Sequence, residues 1–234
     1  MNNNINNNQT KIDKNSAEFR ASLFRYTLGE DIGNAASHCV GALFSIGMLI
    51  SLSWISGRYG NATDAIAFIF YGLTLVFMFT MSTVYHSMTN STARVVMKRM
   101  DHISIFYLIL GSYTPYVFCL LKTHQAYIVY AIILVLTIVG TIFKSMFAGK
   151  FKKTSTMIFV LMGWCSVFII SQIAHNMPTQ GLVFFIAGGL IYTIGAVFYA
   201  LSKFKYSHMV WHIFVVVAAV FMYISIAFYI LQYR

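Results

Sequence analysis

Charged residues are scarce in this sequence, and acidic ones are scarcest. Only 9% of the 234 residues are Asp, Glu, Lys or Arg, whereas a soluble domain carries roughly 25%. Six of these residues are acidic and sixteen are basic, which gives a formal net charge of +10. Because so few charges cannot cover a surface that faces water all round, the composition excludes an ordinary soluble globular domain.

Cysteine and proline are also rare. The three cysteines lie far apart, inside or at the edge of apolar runs, a spacing that fits neither a disulfide framework nor a cysteine metal site. One of the two prolines, Pro115, falls within an apolar run, where it must interrupt backbone hydrogen bonding and is expected to kink a helix. The first thirty or so residues are polar, so no cleavable signal peptide is predicted.

Apolar residues dominate instead, at 59% of the chain, and they fall in seven long runs. The runs are 38–56, 65–86, 102–121, 126–146, 156–174, 182–201 and 208–231. Each has the length of a helix that crosses a bilayer. The sequence therefore predicts an all-α polytopic membrane protein. A polar tail over 1–33, in which 16–25 suits either an interfacial helix or a solvated linker, precedes a seven-helix domain over 34–234.

The basic residues predict how this bundle is oriented. Three of the sixteen, Arg58, Lys122 and Arg234, fall on one side of the predicted helices. The other thirteen fall on the opposite side: Lys11, Lys14, Arg20, Arg25, Arg94, Lys98, Arg99, Lys144, Lys150, Lys152, Lys153, Lys203 and Lys205. The positive-inside rule then predicts a cytoplasmic N-terminus and an external C-terminus. Bases spaced between apolar runs do not form a nucleic-acid-binding surface, so no nucleic-acid partner is expected.

This orientation gathers five of the seven histidines near the cytoplasmic ends of the helices. His208 and His212 are four residues apart and share one face of the seventh predicted helix. With His86 from the second helix they supply three nitrogen ligands and leave a fourth position for water, the layout of a catalytic zinc site. Zinc is the default metal for three imidazoles and an open position.

Two further residues at the same depth are candidates for catalysis. The motif from His208 to His212 has Met209 where helical zinc proteases carry a glutamate base, so a base must come from another helix. Asp101 is the candidate for that base, and Ser82, one turn before His86, could orient a ligand or the substrate.

Each of these residues also has a plainer interpretation. A histidine pair four residues apart at a helix end often serves in hydrogen bonding between helices. His38 is either a ligand or a hydrogen-bond partner of Asn34, and the second is favoured. Glu30 and Asp31 are predicted to cap the first helix, where carboxylates suit the helix dipole. His102 points about 100° away from Asp101 on a helix, so it is placed outside the ligand set.

Five short motifs, taken together and in order, resemble those of the hemolysin III family, the bacterial branch of the progestin and adipoQ receptor family. They are Glu30-x-x-x-Asn34-x-x-Ser37-His38, Ser82-Thr-Val-Tyr-His86, Arg99-Met-Asp101-His102, the segment from Gly111 to Tyr116, and His208-Met-Val-Trp-His212. The resemblance implies a seven-helix protein of the bacterial inner membrane with its N-terminus inside. It also implies zinc held by His86, His208 and His212, with Asp101 positioning a water molecule and Ser82 close by.

Three functions follow as hypotheses. The first is a zinc-dependent intramembrane hydrolase, similar to alkaline ceramidases, that takes a lipid amide or ester from the inner leaflet and serves membrane lipid or energy homeostasis. The second is a non-catalytic sensor or regulator in which zinc only braces the helix ends. The third is a pore-forming cytolysin, which is disfavoured because no polar face repeats along several helices.

Overall fold

The computed structural model describes residues 26–147, 151–201 and 204–231, without the side chains of Lys152 and Lys153. All regular secondary structure in the described chain is helical, which confirms the all-α prediction; the segment 16–25 lies outside it. The helices are α1 (Leu28–Tyr59), α2 (Ala62–Ser87), α3 (Ser91–Pro115), α4 (His124–Met146), α5 (Lys152–Trp164), α6 (Ile170–Asn176), α7 (Thr179–Leu201) and α8 (Ser207–Tyr229).

Six of these helices are long and apolar enough to cross a membrane, with α3 counted together with its continuation to Leu121. The bent pair α5 and α6 completes seven if it forms one span, with an angle of 54° at the break. This break corrects the prediction of one uninterrupted helix over 156–174. The polytopic membrane architecture is otherwise as the hydropathy predicts.

The break between α5 and α6 has a cause in the neighbouring helices. A 3₁₀ turn over Cys165–Phe168 replaces the α-helical bonding there. The Tyr113 hydroxyl, from α3, lies 2.8 Å from the carbonyl oxygens of both Met162 and Gly163. The Gln125 side chain, from α4, donates to the Phe168 carbonyl at 2.7 Å. Because these carbonyls have partners on other helices, the helix can break inside the bundle without leaving them unsatisfied.

Pro115 interrupts α3 as predicted, and the interruption takes the form of a wider helical turn. The chain continues as a π-helix over Tyr116–Leu121 and ends at Lys122, whose φ is 54°. In the turn before the proline, the hydroxyls of Ser112 and Thr114 donate to main-chain carbonyls at 2.7 and 3.0 Å. The π-helix places the Tyr116 hydroxyl 2.8 Å from Ser225 of α8, to which it donates.

The first helix begins ten residues before the predicted span, at Leu28. Thr27 and Glu30 form a capping box, in which Glu30 accepts from the Thr27 main-chain N–H at 3.0 Å. The helix therefore starts within the predicted polar tail, and Glu30 caps it as expected. This extra length carries Asp31 and Asn34 into the bundle, where both are buried.

The packing order of the helices brings four helix ends together. Helix α1 packs against both α2 and α8, and α3 packs against α2. The end of α2 therefore meets the starts of α1, α3 and α8. Gly33 allows close approach here, since a Cβ at this position would lie 2.7 Å from the Met209 sulfur of α8. The histidine-bearing turns of α2 and α8 are thus neighbours of the first turns of α1 and α3.

Candidate metal centre

Three histidines from two helices converge at this end of the bundle. His86 at the end of α2 and the pair His208 and His212 in α8 are all buried. One nitrogen of each lies within 4.8 Å of the others. Tetrahedral zinc with nitrogen ligands at 2.0–2.1 Å needs about 3.4 Å between those nitrogens, so small side-chain adjustments would suffice. Among the described residues, no other group of three or more histidine, cysteine or acidic side chains brings its ligand atoms this close together.

A carboxylate behind His86 fixes which ring nitrogen faces this centre. His86 Nδ1 lies 2.9 Å from Asp31 Oδ1. Because a carboxylate only accepts hydrogen bonds, Nδ1 carries a hydrogen, and Nε2 is the ring nitrogen left for a ligand. Nε2 is buried and has no hydrogen-bond partner among the described residues.

His212 is held in the same manner by the main chain of α1. Its Nδ1 donates to the Asn34 carbonyl oxygen at 3.0 Å and lies 3.3 Å from the Ser37 hydroxyl. Its Nε2 is also buried without a hydrogen-bond partner in the described part of the chain. Buried nitrogens left open in this way are costly unless they meet a ligand, and an outer hydrogen bond is the usual companion of a metal-binding histidine. The residues present therefore fit a divalent metal ion.

His208, the third histidine, is held by ring packing. Tyr26 stacks on it with the ring centroids 4.8 Å apart and nearly parallel, and Trp211 stacks at 5.1 Å. Its ring centroid lies 4.4 Å from that of His212. The predicted convergence of His86, His208 and His212 is thus present in the structure, with each ring held by neighbours that the motifs alone did not identify.

Asp31 lies in the first turn of α1, as predicted, but its carboxylate does not serve as the predicted cap. It lies on the side of α1 that faces the bundle, where it accepts from His86 and forms an ion pair with the buried Arg94 of α3. Arg94 also donates to the Met88 carbonyl at 2.7 Å. A buried carboxylate needs such partners because its charge is poorly solvated inside the protein. Both partners belong to other helices, so spacing in the sequence carried no signal for them.

The favoured role of His38 is also wrong. The Asn34 carbonyl serves His212, and the Asn34 amide lies 3.5 Å from His86 Nδ1. His38 instead stacks on His212, with the ring centroids 3.6 Å apart, and meets the edge of Phe79. His38 therefore packs behind a candidate ligand and is not part of the group of three.

Asp101 and Ser82 both lie beside the three histidines. Ser82 is buried in α2, one turn before His86. The Asp101 carboxylate lies near the His86, Ser82 and Lys98 side chains. Asp101 and His208 both line the same internal cavity. The two residues predicted for catalysis are thus at the site, and the cavity connects one of them with a candidate ligand.

This cavity has a volume of about 370 Å³, within the range of small-molecule sites. His208 and Asp101 lie at one end, and most of the wall is apolar. Apolar side chains from α3, α6, α7 and α8 line it, among them Leu108, Ile109, Ile170, Phe185, Leu190 and Met222. The broken segment between α5 and α6 forms part of this wall, so the cavity could not be anticipated from a continuous fifth helix.

Comparison with known proteins places the chain in a family. The family model described as "Haemolysin-III related" matches residues 26–223. The chain is 34% identical to the "Hemolysin-3" of Bacillus cereus over 202 residues. This aligned segment covers 86% of the chain and 92% of the relative. The chain is also 30% identical to the "Hemolysin-3 homolog" of Bacillus subtilis over 204 residues, which are 87% of the chain and 96% of that relative.

The chain belongs to the haemolysin-III-related family. The resemblance drawn from the five motifs is therefore confirmed. A more distant similarity extends to the human "Monocyte to macrophage differentiation factor", which is 28% identical over 166 residues, or 67% of each chain. All three histidines of the candidate metal centre, together with Asp31, Ser82 and Asp101, fall within the matched residues.

Removing Asp31 is expected to destabilise the protein more than removing an exposed charge. Asp31→Ala leaves the Arg94 guanidinium buried without its carboxylate, which should lower the free energy of unfolding by about 3–5 kcal/mol. The double variant Asp31→Ala, Arg94→Ala should lose less than the sum of the single variants. Denaturant unfolding in detergent, followed by circular dichroism, measures these differences.

Arg58→Ala is the matched control, because Arg58 is an exposed base at the opposite end of α1. It should change stability by less than about 0.5 kcal/mol. If the losses in unfolding free energy of the Asp31 and Arg94 single variants add up to that of the double variant, the two side chains do not interact.

Proposed function

We propose that this membrane protein is a zinc-dependent hydrolase that cleaves an amide or ester of a membrane lipid. The observation that carries the proposal is that one cavity joins His208, one of three convergent histidines, with the Asp101 carboxylate and a long apolar wall. A lipid has the matching parts, a polar group that can react and an acyl chain that needs an apolar surface.

His86 and His212 would hold the zinc through Nε2, and His208 would supply the third nitrogen. When bound, zinc polarises a carbonyl oxygen and lowers the pKa of a coordinated water to about 7. Three histidines leave one coordination position open, as in catalytic rather than structural sites. Asp31 and the Asn34 carbonyl keep the His86 and His212 rings in the orientation that this requires.

Asp101 would act as the general base and then as the general acid. Its carboxylate accepts a proton from the attacking water as the water oxygen bonds to the acyl carbon. The bond from that carbon to the leaving nitrogen or oxygen then breaks, and Asp101 returns the proton to the leaving group. Ser82, which lies near Asp101, would hold the carboxylate in position. The products are a fatty acid and an amine or alcohol.

The apolar wall favours this function over a pore. The Bacillus relatives carry the name hemolysin, yet most residues that line the cavity here are apolar. An ion pathway is instead lined by rings of charged groups or carbonyl dipoles. A lipid chain is a better match for this lining than water or ions.

We also propose that the N-terminus is cytoplasmic and the C-terminus external, in the bacterial inner membrane, which places the histidines near the inner leaflet. The thirteen-to-three distribution of basic residues supports this orientation. A C-terminal alkaline phosphatase fusion should then be active, and an N-terminal green fluorescent protein fusion should fluoresce. The opposite pattern in both fusions would reverse the orientation.

The metal content of purified protein tests the metal centre. We expect about one zinc per chain in the wild type, as a three-histidine site holds. The double variant His208→Ala, His212→Ala should lose it, because one remaining histidine cannot retain the ion. Elemental analysis of detergent-purified protein measures the content.

The matched control is His124→Ala, His175→Ala, which removes two histidines from the opposite end of the bundle. This variant should keep its zinc. Wild-type protein purified without any metal, or equal loss in both double variants, would remove the basis for the hydrolase.

Asp101→Asn tests the catalytic role separately from the metal. The amide cannot accept the proton, so hydrolysis should fall by about 10²- to 10⁴-fold while zinc content stays unchanged. A panel of N-acyl amines and acyl esters in phosphatidylethanolamine–phosphatidylglycerol vesicles provides the substrates, and released fatty acid is measured.

Asp64→Asn makes the same change at a buried acid of the opposite helix end and should keep most activity. Unchanged hydrolysis in Asp101→Asn would exclude this residue as the base. Zinc-loaded wild type that turns over none of the panel would favour the sensor, in which zinc only braces α2 and α8.

A further inference from the structure

A second polar cluster lines the cavity next to Asp101. It contains two lysines that are almost fully buried, Lys98 at 8% and Lys144 at 2% exposure. Two buried hydroxyl residues, Ser155 and Thr156, line the same cavity as the lysines. The mechanism above uses none of these four residues.

Three helices bring this cluster together at the histidine end of the bundle. Lys98 lies in α3, three residues before Asp101 and so on nearly the same face. Lys144 lies in the last turn of α4, and the two hydroxyl residues lie in the first turns of α5. Lys98, Lys144 and His102 all line the same cavity.

The acidic residues of the described chain are mostly committed elsewhere. Glu30 caps α1 and accepts from the Tyr206 main-chain N–H. Asp31 serves His86 and Arg94, and Asp64 caps α2 at the opposite end. Asp101 is the one described carboxylate that lines the cavity, and it shares that wall with two lysines. Among the described residues, the charged side chains of the wall, Lys98, Lys144 and Asp101, therefore sum to +1.

A positive, poorly hydrated wall selects a negatively charged ligand. Ammonium groups in such a setting bind phosphate and carboxylate oxygens by charge-assisted hydrogen bonds, and burial strengthens that attraction relative to water. The cavity therefore has the features of a site for an oxyanion attached to an apolar chain.

We infer that Lys98 and Lys144 form a binding site for the oxyanion of an acyl lipid, a phosphate or a carboxylate. The inference rests on the proposed function for the reaction, and it names the substrate class as an acyl lipid with an anionic group. Lys98 lies about one helical turn, roughly 5.4 Å, from Asp101. The anionic group is therefore only a few bonds from the scissile carbonyl, and the acyl chain occupies the apolar part of the cavity.

Binding of matched lipids tests this inference without zinc or turnover. Metal-free, chelator-treated protein is titrated with 1-oleoyl-glycerol 3-phosphate and with 1-oleoyl-glycerol, which differ only in the phosphate. Native mass spectrometry from detergent gives the two dissociation constants. Wild type should bind the phosphate lipid at least about tenfold more tightly, the effect of a charge-assisted hydrogen bond. Equal binding by wild type would overturn the inference.

Variants assign the preference to the lysines. Lys98→Met, Lys144→Met should bind both lipids equally while still binding 1-oleoyl-glycerol, which shows that the cavity is intact. The charge-retaining Lys98→Arg, Lys144→Arg should keep the preference, and Lys122→Met, at an exposed lysine of the opposite end, should match wild type. If the methionine variant does not fold, Lys98→Gln and Lys144→Gln replace it singly. A preference that survives loss of the lysine charges contradicts the inference.

Two further ligands separate the possible sources of the anion. If oleate binds as tightly as the phosphate lipid, and if the methionine variant weakens oleate binding, then a carboxylate is also an accepted oxyanion. Inorganic phosphate that displaces the phosphate lipid at a similar concentration would instead indicate a site for the free ion and overturn the lipid class. Failure of hydrolysis or of zinc binding would leave these measurements unaffected, so the two proposals can fail separately.

Discussion

Hydrogen bonds from the first turns of α1 determine what the histidine cluster can do. Asp31 and the Asn34 carbonyl each accept from an Nδ1–H, on His86 and His212 respectively. Each bond commits Nδ1 to an acceptor on α1, so that Nε2, on the far side of the ring, is the nitrogen left for a ligand. Without these acceptors the two rings could turn or exchange tautomers, and three histidines at one depth would be only a polar cluster. The early start of α1, at its capping box, is what brings the acceptors into place.

The low polarity of the bundle explains why charge occurs where it does. A charge inside a membrane protein is costly unless it is paired or functional. Asp31 follows this rule, because Arg94 and His86 surround it, and Asp64 follows it by capping α2. Asp101 shares its cavity wall with two lysines and a candidate metal ligand. The end of the bundle that carries the histidines therefore holds more charge than packing alone would require, which is why two ligand sites are proposed there.

The sequence predicted the helices and the three convergent histidines well, because both depend on local patterns. Hydropathy locates spans, and a separation of four residues places His208 and His212 on one face whatever they pack against. The roles of Asp31 and His38 depend instead on which face of α1 meets α2, α3 and α8, and no local pattern encodes that. The break in the fifth span depends on Tyr113 and Gln125, whose donors come from other helices. Interactions between helices thus account for the differences at Asp31, His38 and the fifth span.

The same break connects the fold with the chemistry of the cavity. A straight fifth helix could pack its apolar side chains closely against α3 and α7, as helices in bundles do. The 54° bend prevents that continuous packing, and residues of the bent segment line the cavity instead. The Tyr113 hydroxyl that satisfies the freed carbonyls belongs to a residue that also lines the cavity. The arrangement of α3, α5 and α6 that satisfies these carbonyls therefore also shapes one wall of the cavity.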